Sequence, residues 1–215
     1  MREGQLRRRI VETARAMYAR GLIVAADGTV SARLDERHLL ITPTGRRKGA
    51  LTEDDLVVCR LEDGAPRAGE LLRPSLEIRM HVLVYAKRPD VMAVVHAHPP
   101  LAIAHTVAGI PLDQPLMPEA FVALGHVPTI PYTTPTTEEV PRALAEPILR
   151  HDALLLARHG SLTLGKTVEE AYDRLEVLEH FAKISLAARA LAPGGGVEGL
   201  SLEALAALRT ILGMA

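Results

Sequence analysis

His96 and His98 stand one residue apart at the end of the apolar run Val91-Met92-Ala93-Val94-Val95, and Pro99-Pro100 follow them. Side chains alternate faces along a strand, so both imidazoles project from one face, and the prolines stop the strand just beyond them. Two imidazoles on one face are half of a tetrahedral metal site. The same spacing suits two polar residues on a half-exposed strand edge, so a third ligand, an acid/base group and a pocket must come from elsewhere. His159 is the third candidate. It ends a second apolar strand, Asp152-Ala153-Leu154-Leu155-Leu156-Ala157-Arg158, and Gly160 follows it. Of nine histidines, these three sit at strand ends, where sites gather in α/β sheets. Three neutral imidazoles leave one position of Zn²⁺ open, the catalytic pattern; other divalent transition metals suit the same donors, whereas Mg²⁺ and Ca²⁺ prefer oxygen.

Glu77 is the acid/base candidate. A helix opening at Pro74 or Ser75 and running to about Lys87 carries Leu76, Met80, Leu83 and Val84 as its apolar stripe. Glu77, His81 and Tyr85 share a neighbouring face. A glutamate in the first turn suits the helix dipole, and it equally suits a carboxylate whose protonation a site controls. The loop Pro43-Thr44-Gly45-Arg46-Arg47-Lys48-Gly49 has glycines, hydroxyls and three positive charges, the makings of an anion site or of an exposed basic turn. It lacks the spacing of a P-loop. A Schiff-base route wants a lysine in an apolar pocket. The four lysines (Lys48, Lys87, Lys166, Lys183) all fall in loops or beside charges, and none reads as desolvated.

The elements that must position these groups alternate. Helices are expected over 3–20, 75–87, 99–108, from about 136 to 150, and over 167–192. Strands are expected over 38–42, 56–59, 91–98, within 125–132, and over 152–160. Asp27-Gly28 marks a turn, with small residues after it. Thr136 with Glu139 has the capping-box spacing. His105 reads as a packed or surface histidine. Pro193-Gly194-Gly195-Gly196 breaks the long helix, so residues 193–215 form a glycine-hinged tail with an amphipathic segment (Leu202, Leu205, Leu208, Leu212). The pattern is that of one α/β domain over 1–215.

The totals agree. The chain has 215 residues, 48% hydrophobic and 24% charged, with a formal net charge of −1. This is a globular composition with nothing to attract nucleic acid or a membrane surface. No apolar run reaches the roughly 20 residues of a membrane span. The single cysteine, Cys59, excludes an internal disulfide, suits a cytoplasmic location, and lies in the strand-like run Leu56-Val57-Val58, where an inert buried thiol is expected.

Five separated motifs now occur in order: Asp27-Gly28-Thr29-Val30-Ser31, Thr42-Pro43-Thr44-Gly45, Arg73-Pro74-Ser75-Leu76-Glu77, His96-Ala97-His98 and Arg158-His159-Gly160. In this the chain resembles the class II aldolase and adducin family, whose members include fuculose-phosphate aldolases and ribulose-phosphate 4-epimerases. The resemblance implies a three-layer α/β/α fold around a mostly antiparallel sheet and a homotetramer with active sites at subunit interfaces. It implies that His96, His98 and His159 bind Zn²⁺, with Glu77 completing the resting metal shell and then acting as general acid/base. It implies that Thr29, Thr44-Gly45 and Ser75 hold the phosphate of a small phosphorylated sugar. The implied reaction is cleavage of a ketose 1-phosphate of the fuculose kind to dihydroxyacetone phosphate and an aldehyde, through an enediolate that Zn²⁺ stabilises. Glu77, where the epimerases usually carry Asp, leans toward the aldolases. Epimerase, dehydratase and decarboxylase chemistry on phosphorylated sugars or keto-acids is the alternative. An adducin-like interaction domain without chemistry is a remote one, since it would be expected to lack the histidines. Glu119 is the candidate for a second acid/base, reaching in from a neighbouring subunit; a carboxylate at a helix start suits it equally. The chain departs from the family's common pattern at Thr29, often Asn, and at Leu76, often Ser. Leu76 removes a hydroxyl from the phosphate site, for which Arg46, Arg47 or Lys48 would have to compensate.

Overall fold

The computed structural model describes residues 3–192, 194 and 196–212. Its frame is one seven-stranded sheet in the order β3-β2-β1-β4-β7-β6-β5. The strands are β1 (Thr29–Arg33), β2 (His38–Ile41), β3 (Val57–Arg60), β4 (Ala93–Ala97), β5 (Thr129–Ile130), β6 (Ala153–Leu156) and β7 (Gly160–Gly165). All neighbours are antiparallel except β5 and β6. Helices α1 (Glu3–Ala19), α2 (Ile78–Lys87), α3 (Pro100–Ala108), α4 (Pro118–Leu124), α5 (Glu139–Leu144), α6 (Val168–Leu191) and α7 (Leu202–Leu212) complete it.

Alternation along the strands sorts the core into layers. Val30, Ala32, Ala93 and Val95 face α1 and the first half of α6. Leu39, Ile41, Val94, Leu154 and Leu162 face α2 and α5. Ala153 and Leu155 lie against α4 and the middle of α6. With helices on both faces, the fold is the three-layer α/β/α arrangement with a mostly antiparallel sheet. No helix among the described residues is long and apolar enough to cross a membrane.

Several elements differ from the sequence expectation. β1 and β7 are strands where a turn with small residues and a strand end were expected. The helix carrying Glu77 starts at Ile78, and Glu77 is its N-cap residue. Thr136 has φ +66 and caps nothing; Glu139 instead accepts from the Thr134 amide (2.9 Å). That helix ends at Leu144, and only a 3-10 turn follows at Pro147–Leu149. Of the hinge, Pro193 and Gly195 lie outside the described residues. Beyond it α7 rests on α4, where the Arg209 guanidinium lies 5.5 Å from the Phe121 ring centre.

Asp152, at the start of β6, takes Arg88 from the end of α2 (2.9 Å) and Arg174 from α6 (3.3 Å). The same arginines donate to the carbonyls of Ile148 (2.8 Å) and Leu164 (2.5 Å). Asp152→Ala unlinks three elements at one point. A loss of about 1 kcal/mol is expected for this half-exposed network, read as a drop of about 2–4 °C in the thermal midpoint. An unchanged midpoint would show the network to be ornamental.

Candidate metal and anion site

β4 delivers His96, and the chain just past its end delivers His98. In the antiparallel register Thr29 of β1 faces His96, and Ser31 faces Val94. Thr29, Ser31 and His96 therefore share the face covered by α2. His159 comes from the turn between β6 and β7, where Arg158 takes φ +60. One ligand nitrogen of each of His96, His98 and His159 lies within 4.8 Å of the other two. The Nε2 atoms of His96 and His98 are 3.2 Å apart.

The hydrogen bonds behind the rings say which nitrogens are free. His96 Nδ1 is 2.9 Å from the Ser161 carbonyl, which can only accept, so Nδ1 carries the proton and Nε2 a lone pair. His98 Nδ1 lies 3.5 Å from the Asp27 carboxylate, which likewise turns its Nε2 outward. Two lone pairs facing at 3.2 Å repel unless a cation lies between them. Nitrogens about 2.0–2.1 Å from a tetrahedral zinc stand about 3.3 Å apart, so the pair fits such an ion. Burial, then the neighbouring His98, His159 and His81, holds His96 well below its usual pKa. Burial also lowers His98, and burial with His98 brings His159 to about 4. All three are neutral near pH 7, the form that binds metal. His159 Nδ1 is buried with no protein partner.

The histidines form one wall of a pocket of about 400 Å³. Glu77 lines it too, half-buried, and burial raises its carboxyl above the usual range. Its oxygens fall outside the cluster of mutually close nitrogens, so the carboxylate is beside the histidines rather than among them. α2, which Glu77 begins, is pinned to β1 by a buried network: Ser31 Oγ lies 2.7 Å from His81 Nδ1 and 2.8 Å from the Tyr85 hydroxyl. Thr29, Thr44, Gly45 and Ser75 line the same pocket, Thr29 beside His96 on the neighbouring strand, with the Thr29 and Ser75 hydroxyls 2.6 Å apart. Gly28 is needed there. It has φ +75, and a Cβ would come within 2.6 Å of Ile23.

The expected site residues are thus brought into one pocket, with one exception. Glu119 stands exposed on α4 and does not line it. Leu76 lines the pocket, 64% exposed and without a hydroxyl to offer. Arg46 and Arg47 are exposed and do not line the pocket, and Arg46 pairs with Asp55 (3.7 Å). Lys48 corrects the expectation that no lysine is desolvated: it is 1% exposed, lines the pocket, and burial brings its ammonium down to about 8. Asp27, paired with His98, and Pro135-Thr136 also line the pocket, and sequence reasoning assigned none of them a role in the site. The Asp-Gly pair was visible only as a turn. Away from the site, His105 is packed between the Leu101 carbonyl and Ser185, and burial pushes the Cys59 thiol up to about 12, an inert group.

The model of the class II aldolase and adducin N-terminal domain matches residues 8–186. The chain is 33% identical over 183 residues to the 3-oxo-tetronate 4-phosphate decarboxylase of Haemophilus influenzae, covering 81% of this chain and 84% of that protein. It is 35% identical over 174 residues to the L-fuculose phosphate aldolase of Methanococcus vannielii, covering 79% and 89%. The crystal structure of YgbL from Klebsiella pneumoniae, described as a putative aldolase/epimerase/decarboxylase, superposes with a TM-score of 0.88 at 30% identity, covering 97% of this chain and all of that one.

Proposed function

Because this chain belongs to the class II aldolase and adducin family, we propose that it is a divalent-metal-dependent lyase that breaks a carbon–carbon bond in a small phosphorylated keto substrate. The observation that supports this best is the pocket itself: three converging neutral imidazoles, one half-buried carboxyl, and hydroxyls and glycine in the same lining. His96, His98 and His159 would hold the metal, and Zn²⁺ suits three nitrogen donors with a position left open. When bound, the metal supplies a Lewis acid for neighbouring carbonyl and hydroxyl oxygens of the substrate.

The chain's own residues do the rest. Thr29, Thr44, Gly45 and Ser75 anchor the phosphate and so fix which carbon lies beside the histidines. Glu77, kept protonated more readily by its burial, delivers a proton to the carbon left electron-rich by bond cleavage and is recharged from solvent. The substrates named for the two relatives converge on this geometry. A 3-oxo-tetronate 4-phosphate that loses its carboxyl carbon, and a ketose 1-phosphate cleaved beside its carbinol carbon, both leave dihydroxyacetone phosphate. The other product is carbon dioxide in one case and an aldehyde in the other.

Decarboxylation is the reaction one protomer can complete, because it needs a single proton delivery. Of the two carboxylates lining the pocket, Asp27 is turned to His98 and Glu77 is free for it. Aldol cleavage, the second reading, also needs a base to take the proton of the hydroxyl that becomes the aldehyde carbonyl. Glu119 could supply it only from another copy, in the homotetramer that belongs to this proposal. Leu76, 64% exposed where it lines the pocket, favours such packing. Retention of all three histidines sets the chain apart from a non-catalytic interaction domain.

The test is to give Zn²⁺-loaded protein 3-oxo-tetronate 4-phosphate and fuculose 1-phosphate in turn, and to follow dihydroxyacetone phosphate and carbon dioxide. Release of both products from the first compound is the expected result. Dihydroxyacetone phosphate from the second alone would replace decarboxylation by aldol cleavage. Stoichiometric metal with neither product would sink the lyase reading.

A further inference from the structure

Lys48 is the one ammonium among the described residues lining the pocket, and its surroundings are unusual for a lysine. Nζ donates to the carbonyls of Ala26 (2.7 Å), Arg46 (3.3 Å) and Pro43 (3.5 Å). Its own amide donates to Ala25 (3.2 Å). One side chain therefore ties the turn that precedes Gly28-Thr29 to the loop that carries Thr44-Gly45. These are two of the three segments of the hydroxyl cradle. The tied turn also holds Asp27, whose carboxylate faces His98 Nδ1.

The charge is poorly compensated. All three acceptors are neutral carbonyls, and Asp27 is the nearby acid that favours the protonated form. A buried cation with one shared counter-charge is costly. It leaves the pocket floor positive, and a bound dianion would relieve that cost. Leu76 gives the cradle no hydroxyl, and Arg46 and Arg47 do not line the pocket, so no other side-chain cation offers this compensation there.

We infer that Lys48 is a positioning and specificity residue for the anionic end of the substrate: it holds both cradle loops in register and supplies the positive charge that selects a phosphorylated over an unphosphorylated compound. The inference rests on the phosphate cradle proposed above. Its three protons are already donated to carbonyls, so Lys48 acts through the loops and through its field, and it need not touch the phosphate.

The probe is inorganic phosphate, titrated by calorimetry into Zn²⁺-loaded wild type, Lys48→Met and Lys48→Arg, with metal content and thermal midpoint measured alongside. Lys48→Met is expected to weaken phosphate about tenfold, through loss of the tie between the loops and of the ammonium's field. Metal content should stay at wild-type level. KM for whichever compound the wild type cleaves should rise more than kcat falls. Lys48→Arg should recover most of the affinity. If Lys48→Met binds phosphate like the wild type, or if Lys48→Arg does no better than Met, the inference is wrong.

A second measurement covers a Met variant that fails to fold. Sulfate does not titrate above neutrality, and its affinity for the wild type should fall between pH 7.5 and 9.5 as the ammonium loses its proton; in Lys48→Arg it should stay flat. Around Lys48 the other ionisable groups are Asp27 on the turn, Arg46 with its partner Asp55, Arg47 on the same loop, Arg15 and Tyr18 of α1, and Glu77 and the three histidines that line the same pocket. The Arg variant keeps all of them, so a fall seen equally in both proteins, or in neither, overturns the assignment. Wild type that binds neither anion and cleaves nothing would instead refute the phosphate cradle itself.

Discussion

Glu77→Gln should leave a folded, metal-loaded protein that has lost about 10²–10⁴ of its kcat, the range for removing a positioned general acid/base. Gln keeps the shape of the side chain and its place ahead of α2, which is held to β1 through Ser31, His81 and Tyr85 and does not depend on the carboxyl. His96 and His98 keep their own supports at Ser161 and Asp27, neither of which involves Glu77, so metal per protomer should stay near one. His98→Ala should behave in the opposite way, losing metal and turnover together. Elemental analysis beside initial rates separates the two. A Glu77→Gln enzyme within tenfold of wild-type kcat would remove Glu77 from the proton-transfer role. There is also a stability signature in metal-free protein. Burial raises the folded pKa of Glu77 above its unfolded value, so its contribution is fully present below the unfolded pKa and is lost as pH rises through the folded one. Gln has no such dependence, so the variant should gain on the wild type as pH rises from below the usual carboxylate range through the raised folded pKa.

What the sequence displayed depended on whether a residue's role was local. β4 and the long helix α6 were legible because each is a sustained apolar pattern with clear ends. Pro99-Pro100 closes the first, and Thr167, whose hydroxyl accepts from the Glu170 amide (3.1 Å), opens the second. The histidine trio was legible because two members share one strand face and the third is marked by its glycine. β1 was hidden by composition. Thr29, Ser31 and Ala32 are small, and the strand is buried on both faces, so no alternation of polar and large apolar residues announces it. β7 was hidden by the glycines at both of its ends. Lys48 was hidden by its neighbours: Arg46-Arg47-Lys48 reads as a solvated run, and nothing in its spacing says that the third charge turns inward while the first two do not. Thr136 with Glu139 had the spacing of a cap, but a positive φ at Thr136 turned the chain away from that geometry. Glu119 illustrates the opposite limit: its place at a helix start was legible, yet it stands exposed outside the pocket and this chain's own fold gives it no part in the site.

Gly160→Ala, the addition of one methyl group, should cost the site nearly as much as removing a ligand. The reason is proximity rather than backbone freedom, because Gly160 does not adopt a positive φ. A Cβ there would run into the Ala97 carbonyl oxygen and would lie 2.9 Å from His98 Cδ2 and 3.0 Å from His96 Cε1. The carbonyl belongs to β4, which is fixed between β1 and β7 and cannot retreat. The backbone at 160 must shift instead, taking the adjacent His159 with it, and the two rings that carry the Nε2 pair 3.2 Å apart must give way as well. Overpacking of this kind costs about 1–3 kcal/mol, and disturbing the support of a ligand costs about 10–100-fold in metal affinity. Displacement of reacting groups by about 1 Å adds roughly 10² in rate. The variant should therefore bind Zn²⁺ weakly and stay slow even at saturating metal. Gly4→Ala, where a Cβ meets nothing within 4 Å on α1, should be neutral or slightly stabilising. Full activity of Gly160→Ala at saturating metal would mean that the rings can shift without loss. The tight packing behind His96 and His98 would then be a consequence of the strand pairing and not a requirement of the chemistry.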